Sequence, residues 1–268
     1  MEAPKKSYPT DITDNQWELI KDLIPVAGKG GRKRTVDIRA ILNGIFYING
    51  SGCAWRMLPH DFPIWQTVYH YFRHWRITNT WQEINAKLQQ WYRVSEGKES
   101  TPSAGCIDSQ STKIASRLAS PEAVGIDGSK FVNGRKRHIL VDTLGLLLIV
   151  VVTVTNLDDR KGATMLLEKI NQIRDRFPRL STIWVDRGYR GKAFILAILH
   201  TFDWCLQVVV PAAGQKGFVV QQKRWVVERT FAWFSRFRRL NREYEILPET
   251  SEAFFYVGMI HILLNRLA

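Results

Sequence analysis

The sequence predicts an α/β protein in which a mixed sheet flanked by helices follows an all-α N-terminal region. Apolar residues within 13–94 recur three or four positions apart, which is typical of amphipathic helices. After the polar stretch 95–103, short runs rich in Val, Ile and Leu alternate with amphipathic segments, which is typical of a sheet covered by helices. We therefore expect a helical domain over 1–95 and an α/β domain over 96–268.

Composition favours a nucleic-acid partner. Lys and Arg number 38 against 25 acidic residues, a formal net charge of +13, which attracts polyanions. At this level a basic enzyme without such a partner is an equal alternative. Cys53, Cys106 and Cys205 are sparse and odd in number, which argues against a disulfide scaffold and for a reducing compartment. The first residues lack the apolar core of a signal peptide, so we expect a cytoplasmic, nucleoid-associated protein without a membrane partner.

Four helices are predicted in the N-terminal region. Thr13 and Gln16 have the spacing of a capping box, and Pro25 ends the helix that follows. The other three helices are predicted over about 38–50, 64–76 and 81–94, with a basic, glycine-rich loop at 28–34 before the second. Short helices with interspersed cations suit a helix-turn-helix module that contacts DNA. A small helical bundle with a solvated basic face is the alternative.

The second region alternates strands and helices. A short strand ends near Asp108, and Leu144-Gly145 forms the turn of a predicted hairpin. In chain order we predict a strand at 104–109, the hairpin strands 138–143 and 146–155, a helix at 163–177, a strand at 182–185, a helix at 192–200, a strand at 204–210, and helices at 223–240 and 252–267.

Isolated acids occur where apolar segments end. Asp108 ends the first strand, and Asp186 directly follows the strand 182–185. Ligands in α/β sheets lie beyond the carboxyl ends of strands, and carboxylates are the ligands that Mg²⁺ prefers. Taken singly, each Asp could equally be a turn former or a helix cap. Glu228 is the one acid between Asp203 and Glu243, and an ion pair with the arginine four residues before it is its alternative role.

Several segments together resemble bacterial DDE transposases of insertion sequences, in particular the insertion-sequence-five group. The similarity extends over nearly the whole chain. It is carried by Leu42-Asn-Gly-Ile-Phe-Tyr47, Ser51-Gly-Cys-Ala-Trp-Arg-Met-Leu-Pro59, Trp65-Gln-Thr-Val-Tyr69, Ile107-Asp-Ser-Gln-Ser111, Gly134-Arg-Lys-Arg-His-Ile-Leu-Val-Asp-Thr-Leu-Gly145, Asn156 with Asp159-Arg160, Trp184-Val-Asp-Arg-Gly-Tyr-Arg-Gly191 and Arg224-Trp-Val-Val-Glu-Arg-Thr-Phe-Ala-Trp233.

The resemblance implies an RNase H-like catalytic domain. Its triad would be Asp108 on the first strand, Asp186 after the fourth strand and Glu228 on a late helix, both as catalytic residues and as metal ligands. We expect two Mg²⁺ ions per site, with Mn²⁺ as a substitute, because such a pair supports phosphodiester chemistry. Two further acids compete for a place in the site; the resemblance makes Asp142 either a structural acid or one that supports a metal ligand from behind, and it leaves Asp159 unassigned.

The extended family signature around the glutamate is only partly kept. Tyr, Arg, Glu and Lys form that signature, and Arg224 and Glu228 keep its spacing of four. The Tyr position falls on Gln221 and the Lys position on Ser235, where the adjacent Arg236 is a candidate replacement. The assignment of the family's phosphate-contacting Lys is therefore open, whereas the three acids are unaffected.

By the same resemblance, the helical region would recognise the terminal inverted repeats of a transposon. The catalytic domain would cleave the DNA ends and transfer them to target DNA, within a homodimer or a larger synaptic assembly. Two alternatives are a catalytically inactive, transposase-derived DNA-binding regulator and a structure-directed nuclease of the same fold. The cations predicted to contact DNA are Arg32, Lys33, Arg34, Arg73, Arg76, Lys130, Arg135, Lys136, Arg137, Arg190, Arg224, Arg229 and Arg236.

Overall fold

The computed structural model describes residues 7–26, 35–115, 124–128, 130–210 and 224–268. Within these ranges the predicted fold class is confirmed, because a helical N-terminal region is followed by a mixed sheet with helices packed on it. The basic loop at 28–34, with Arg32, Lys33 and Arg34, lies outside the described residues. No helix in the described ranges combines the length and the apolar character needed to cross a bilayer.

The N-terminal helices are α1 (Asp14–Ile20), α2 (Ile38–Ser51), α3 (Trp65–Ile77) and α4 (Thr80–Ser95). The capping box predicted at the start of α1 is present: Gln16 N donates to Thr13 Oγ1 at 3.2 Å, and Thr13 N donates to Gln16 Oε1 at 2.9 Å. Gly52 ends α2 with φ +73°, a conformation that favours glycine. A Cβ at that position would lie 2.9 Å from Arg238 Cβ, so two parts of the chain meet there closely.

The described strands form one six-stranded sheet: β1 (Ala104–Lys113), β2 (Gly125–Asp127), β3 (Val132–Asp142), β4 (Leu147–Val154), β5 (Thr182–Val185) and β6 (Cys205–Val208). β1 lies between β3, to which it is antiparallel, and β5, to which it is parallel. β6 continues the sheet parallel to β5, and β4 and β2 pair antiparallel with β3. This is the RNase H-like arrangement that the resemblance implies.

Four helices lie within or after the sheet: α5 (Asp159–Asn171), α6 (Lys192–Phe202), α7 (Trp225–Phe234) and α8 (Pro248–Leu267). Each of the four differs from its predicted range at one end or both, and two of these differences have a clear local cause. α5 begins at 159 instead of 163, because the Asp158 side chain caps it by accepting from Arg160 N at 2.9 Å. α7 ends at Phe234 instead of 240, because Phe237 is extended (φ −90°, ψ 110°) ahead of a separate 3-10 turn over Arg238–Leu240.

The core consists of two clusters on opposite faces of the sheet. One contains Leu166, Ile183 and Trp204 and is covered by α5 and α6. The other joins α7, α8 and the N-terminal helices, as in the stacking of Phe72 in α3 on Phe254 in α8, with ring centroids 4.6 Å apart. The helices before residue 95 therefore share a core with the last helix, and the proposed division at 95/96 stays a prediction.

Candidate active site

Two of the three predicted acids lie on adjacent parallel strands. Asp108 is within β1, opposite Ile139 of β3, and Asp186 directly follows β5. The parallel pairing of Ala104–Cys106 with Thr182–Trp184 brings these two segments side by side. Asp186 is also anchored locally, because its Oδ1 accepts a hydrogen bond from Gly188 N at 2.7 Å at the start of a 3-10 turn. The parallel pairing of these two interior strands thus places both carboxylates side by side at the point where β5 ends.

The side chain of Arg224 brings all three acids together. Its Nη2 atom lies 3.2 Å from Asp108 Oδ2, 3.8 Å from Asp186 Oδ2 and 4.0 Å from Glu228 Oε1. Any two of these carboxylate oxygens are therefore no farther apart than the sum of their own distances from Arg224 Nη2. Three acids that are far apart in the sequence converge around one guanidinium.

The three carboxylates differ in how far they are exposed to solvent. The side chain of Asp108 is 19% exposed, that of Asp186 34% and that of Glu228 54%. The pKa of Asp108 is raised to about 6: burial is the main cause and the charges of Asp186 and Glu228 add to it, whereas Arg224 and the hydrogen bond from Ser109 N oppose the rise. A carboxylate in this position is stabilised by a neighbouring cation, and Arg224 is the cation that it contacts.

The donor set suits a hard divalent cation, since carboxylate oxygens are what Mg²⁺ and Mn²⁺ prefer. In the part of the chain that the structure describes, no three His, Cys, Asp or Glu side chains approach closely enough to hold an ion as they stand. The guanidinium of Arg224 lies among Asp108, Asp186 and Glu228 instead. The site therefore fits a metal in its chemistry, and binding one would require Arg224 to give up its contacts with the acids.

A second group of polar side chains adjoins Asp108. Ser109 Oγ donates to Asp159 Oδ1 at 2.9 Å, and Lys136 Nζ lies 3.0 Å from the same oxygen. Tyr189 is buried close by; burial, together with the charges of Asp108 and Asp159, raises the pKa of its phenol well above the usual value. The sequence leaves Asp159 as a competing acid, and in the structure it accepts a hydrogen bond from Ser109, the residue next to Asp108. Ser109 and Tyr189 lie in motifs that resemble those of DDE transposases, but nothing in the sequence indicates that their side chains lie beside the acids.

Asp142 has the structural role that the resemblance implied. It is fully buried at the end of β3 and forms an ion pair with Arg93 of α4. Its Oδ1 also accepts hydrogen bonds from Leu144 N at 2.9 Å and Leu146 N at 2.8 Å, which closes the hairpin turn. Burial raises the pKa of this carboxyl, and the hydrogen bonds and Arg93 oppose the rise. No pattern in the sequence identifies Arg93 as its partner.

Three cations predicted to contact DNA are buried instead, and that prediction is wrong for them. Arg135 is 0% and Arg137 2% exposed. Both form ion pairs with the buried Glu243, at 3.7 and 3.4 Å, and both donate to main-chain carbonyls of the segment 240–246. Lys136 is 7% exposed and donates to Leu157 O as well as pairing with Asp159. They are buried because both faces of the sheet are covered here, by the segment 240–246 over the two arginines and by Leu157 and Asp159 over Lys136.

The remaining predicted DNA contacts differ in accessibility. Arg229 lies between two aromatic rings, 4.1 Å from the centroid of Trp225 and 4.7 Å from that of Trp233, and donates to Leu144 O at 2.8 Å. This arrangement fixes α7 against the hairpin turn, and a phosphate contact by Arg229 stays a prediction. Arg76 and Arg224 are partly buried, whereas Arg73, Lys130, Arg190 and Arg236 are exposed.

Two curated proteins are similar to part of this chain. Over 139 residues it is 31% identical to the "Putative transposase for insertion sequence element IS402" of Burkholderia cepacia, a match that covers 50% of this chain and 64% of that protein. Over 77 residues it is 29% identical to the "Uncharacterized protein y4sN" of Sinorhizobium fredii, covering 29% of this chain and 62% of that protein. The chain thus spans a little less than two thirds of the length of each of these relatives.

A solved structure and two family models also match. The "Crystal structure of the Mos1 mariner paired end complex with Mn" aligns with 95% of this chain and 84% of that chain, at 13% identity and a TM-score of 0.26, too low to carry an argument. Residues 12–85 match the model described as "Putative transposase of IS4/5 family". Residues 99–263, more than half of the chain and including all three acids, match the model described as "Transposase DDE domain". The chain belongs to the family of DDE transposases.

Proposed function

We propose that this protein binds the ends of a transposable element in double-stranded DNA, cleaves them and joins them to target DNA. The observation that carries the proposal is the convergence of Asp108, Asp186 and Glu228 within 4.0 Å of one Arg224 nitrogen. Three carboxylates gathered from two strands and a helix are the donor set that metal-dependent phosphodiester chemistry requires. Family membership supports the same reaction class.

The proposed cofactor is a pair of Mg²⁺ ions, with Mn²⁺ as a substitute, held by the three acids. Divalent metal at this position would compensate the negative charge that develops on the attacking and leaving oxygens. Asp108 and Asp186 would hold their oxygens in place from neighbouring strands, while the more exposed Glu228 would complete the set from α7. Arg224, once released from the carboxylates, would be free to pair with a phosphate oxygen.

The reaction proceeds in two displacements at phosphorus. A water oxygen attacks the phosphorus at the end of the element and loses a proton to solvent, while the bond to the 3′-oxygen breaks and that oxygen takes up a proton to give a free 3′-hydroxyl. That hydroxyl then loses its proton and attacks a phosphorus of target DNA, forming one P–O bond as the bond to the target strand's own 3′-oxygen breaks and that oxygen is protonated. Neither displacement needs a covalent bond to the protein. Because two ends must be joined, the proposal includes a homodimer or a larger assembly on DNA.

The test is a cleavage and joining assay with DNA from both ends of the region that encodes the chain, in Mg²⁺ and in Mn²⁺. Asp186→Asn and Glu228→Gln are expected to abolish nicking and joining while still binding DNA. Glu168→Gln on α5 and Asp175→Asn in the turn that follows α5 make the same chemical changes at exposed positions. Both control variants should retain activity. Full activity in either triad variant would refute the site. DNA binding without cleavage by the unaltered chain would favour the regulator.

A further inference from the structure

The four N-terminal helices differ sharply in what they present to solvent. α2 exposes none of its residues, as expected for the central helix of this region. α1 exposes Asp14 and Glu18, and α4 exposes Glu83 beside Lys87. The outer face of α3 carries no acid: its exposed residues are Gln66, Tyr69, His70, Arg73, His74 and Ile77. Among the described N-terminal helices, α3 alone offers an accessible face without negative charge.

The surroundings of α3 leave its cations available. The chain contains no Asp or Glu between Asp61 and Glu83. Asp61, in the loop before α3, accepts a hydrogen bond from Tyr8 Oη at 3.1 Å. Within the described residues, neither Arg73 nor Arg76 forms an ion pair or a side-chain hydrogen bond. The opposite side of α3, with Val68, Phe72 and Trp75, is buried and holds the helix firmly in the core.

We propose that α3 is the helix that reads the terminal sequence, with its outer face in the major groove of duplex DNA. This inference rests on the proposed function and assigns its specificity to named residues. An amide and a guanidinium on one helix face have the hydrogen-bonding groups that distinguish bases: Gln pairs with adenine and Arg with guanine, each through two hydrogen bonds. Gln66 and Arg73 are seven residues apart, two helical turns, and so lie on the same face.

The spacing gives a geometric expectation. Seven residues of helix rise about 10 Å, which corresponds to about three base pairs at 3.4 Å each. Tyr69 and His70 lie between Gln66 and Arg73 on this face and would contact the intervening bases. At the two ends of α3, Arg56 and Arg76 are placed for the phosphate backbone. Arg56 is exposed and lies over the Trp65 ring, 5.6 Å from its centroid, which orients it at the helix start.

The test begins with selection of duplexes from a randomised 30-base-pair library by the full chain without metal. Affinities are then measured for the selected duplex and for a scrambled duplex of the same composition. Arg73→Ala should weaken binding to the selected duplex about tenfold or more, and binding to the scrambled duplex much less. Arg73→Lys should lose the same discrimination while keeping its charge. Lys87→Ala, an exposed cation on α4, is the matched control and should change neither affinity.

Repeating the selection with variants tests the register. Arg73→Ala should relax one position of the selected sequence, and Gln66→Ala another about three base pairs away. The inference is overturned if no sequence is enriched, if Arg73→Ala weakens both duplexes equally, or if Lys87→Ala matches its effect. Metal-dependent nicking measured on the same preparations separates this failure from failure of the proposed function. All substituted side chains are exposed, so unfolding temperatures within about 2 °C of the unaltered chain should confirm that each variant is folded.

Discussion

At the residue scale, one arginine and three acids account for the chemistry proposed here. The three acids stand out locally in the sequence, Asp108 and Asp186 after apolar segments and Glu228 as a lone acid in a basic helix. The prediction that the first strand ends at Asp108 is wrong, because β1 continues to Lys113 through its pairing with β3. The shared contact with Arg224 could not be predicted, since Arg224 and Asp108 are 116 positions apart and meet only through the pairing of β1 with β5 and the position of α7. Arg224 acts as an internal counter-ion of the acids.

Replacing that counter-ion should change how the acids bind metal. Arg224→Gln removes the positive charge that competes for the three carboxylates, so the DNA-free variant is expected to bind Mn²⁺ more tightly than the unaltered chain. Calorimetric titration with MnCl₂ measures this difference. Arg187→Gln, at an exposed position in the turn after β5, serves as control. Equal Mn²⁺ affinity in Arg224→Gln and the unaltered chain would show that Arg224 does not compete with metal.

The buried cations of β3 mark the limit of residue-level prediction. The run Gly134-Arg-Lys-Arg-His138 has the composition of a phosphate-binding patch, but the partner of both arginines, Glu243, lies more than 100 positions away. Glu243→Gln would leave two buried guanidiniums without their counter-charge, and we expect a loss of about 3–5 kcal/mol in the free energy of unfolding. Urea denaturation measures it. The exposed Glu249→Gln should change stability by no more than about 0.5 kcal/mol, and a similarly small loss for Glu243→Gln would contradict this role.

At the scale of elements, the type of each long helix and strand could be predicted, whereas bounds and short elements could not. β2 has three residues and depends on its pairing with Val132–Gly134, so its own sequence carries no recognisable pattern. α7 stops at Phe234, ahead of a separate 3-10 turn in which Arg239 forms an ion pair with Glu245. The bounds of these elements depend on tertiary contacts that a local pattern does not contain.

A glycine in α5 shows how closely one helix packs on the sheet. A Cβ at Gly162 would lie 2.1 Å from Cε1 of the fully buried His138 in β3. Gly→Ala within a helix is ordinarily stabilising by up to about 1 kcal/mol. Here we expect the opposite sign, a loss of about 1–3 kcal/mol from overpacking, in urea denaturation. Gly128→Ala, where a Cβ meets no atom within 4 Å, is the control. A stabilised Gly162→Ala variant would contradict the packing of α5.

At the scale of the whole molecule, the last helix organises the first four. The polar stretch 95–103 predicts a boundary at 95/96, and residues 95–100 of that stretch are exposed. Periodicity could not reveal that α8 returns to pack with α2, α3 and α4, because the apolar residues of α8 carry no information about which surfaces they cover. Ion pairing between Arg93 of α4 and Asp142 of β3 adds a second connection between the regions.

A buried histidine where α8 meets α2 gives the protein a pH dependence. His261 stacks on Phe46, with centroids 4.6 Å apart, and burial lowers its pKa to about 4. An exposed histidine has a pKa of about 6.5, so below that pH the unfolded chain binds a proton that the folded chain does not. This contribution to stability is complete above pH 6.5 and is lost as the pH falls toward 4.

The matching measurement is urea denaturation at pH 7.5 and pH 5.0. His261→Phe should reduce the loss of unfolding free energy between these two values by about 2 kcal/mol relative to the unaltered chain. His138, whose pKa burial also lowers to about 4, is present in both proteins and cancels in the comparison. The buried carboxyls with raised pKa values, Asp142, Glu245 and Glu252, act in the opposite direction and cancel likewise. An unchanged loss in His261→Phe would contradict this explanation.

Metal rescue of cysteine variants tests the three-acid centre most directly. Asp108→Cys, Asp186→Cys and Glu228→Cys each replace the oxygen of a proposed metal ligand with a thiolate, which Mg²⁺ binds poorly and softer ions accept more readily. We predict that end-DNA cleavage by each variant is lost in Mg²⁺ and partly restored in Mn²⁺ for at least one, with Glu168→Cys active in both. Cleavage at the unaltered rate in Mg²⁺ by any of the three variants would contradict the proposed centre.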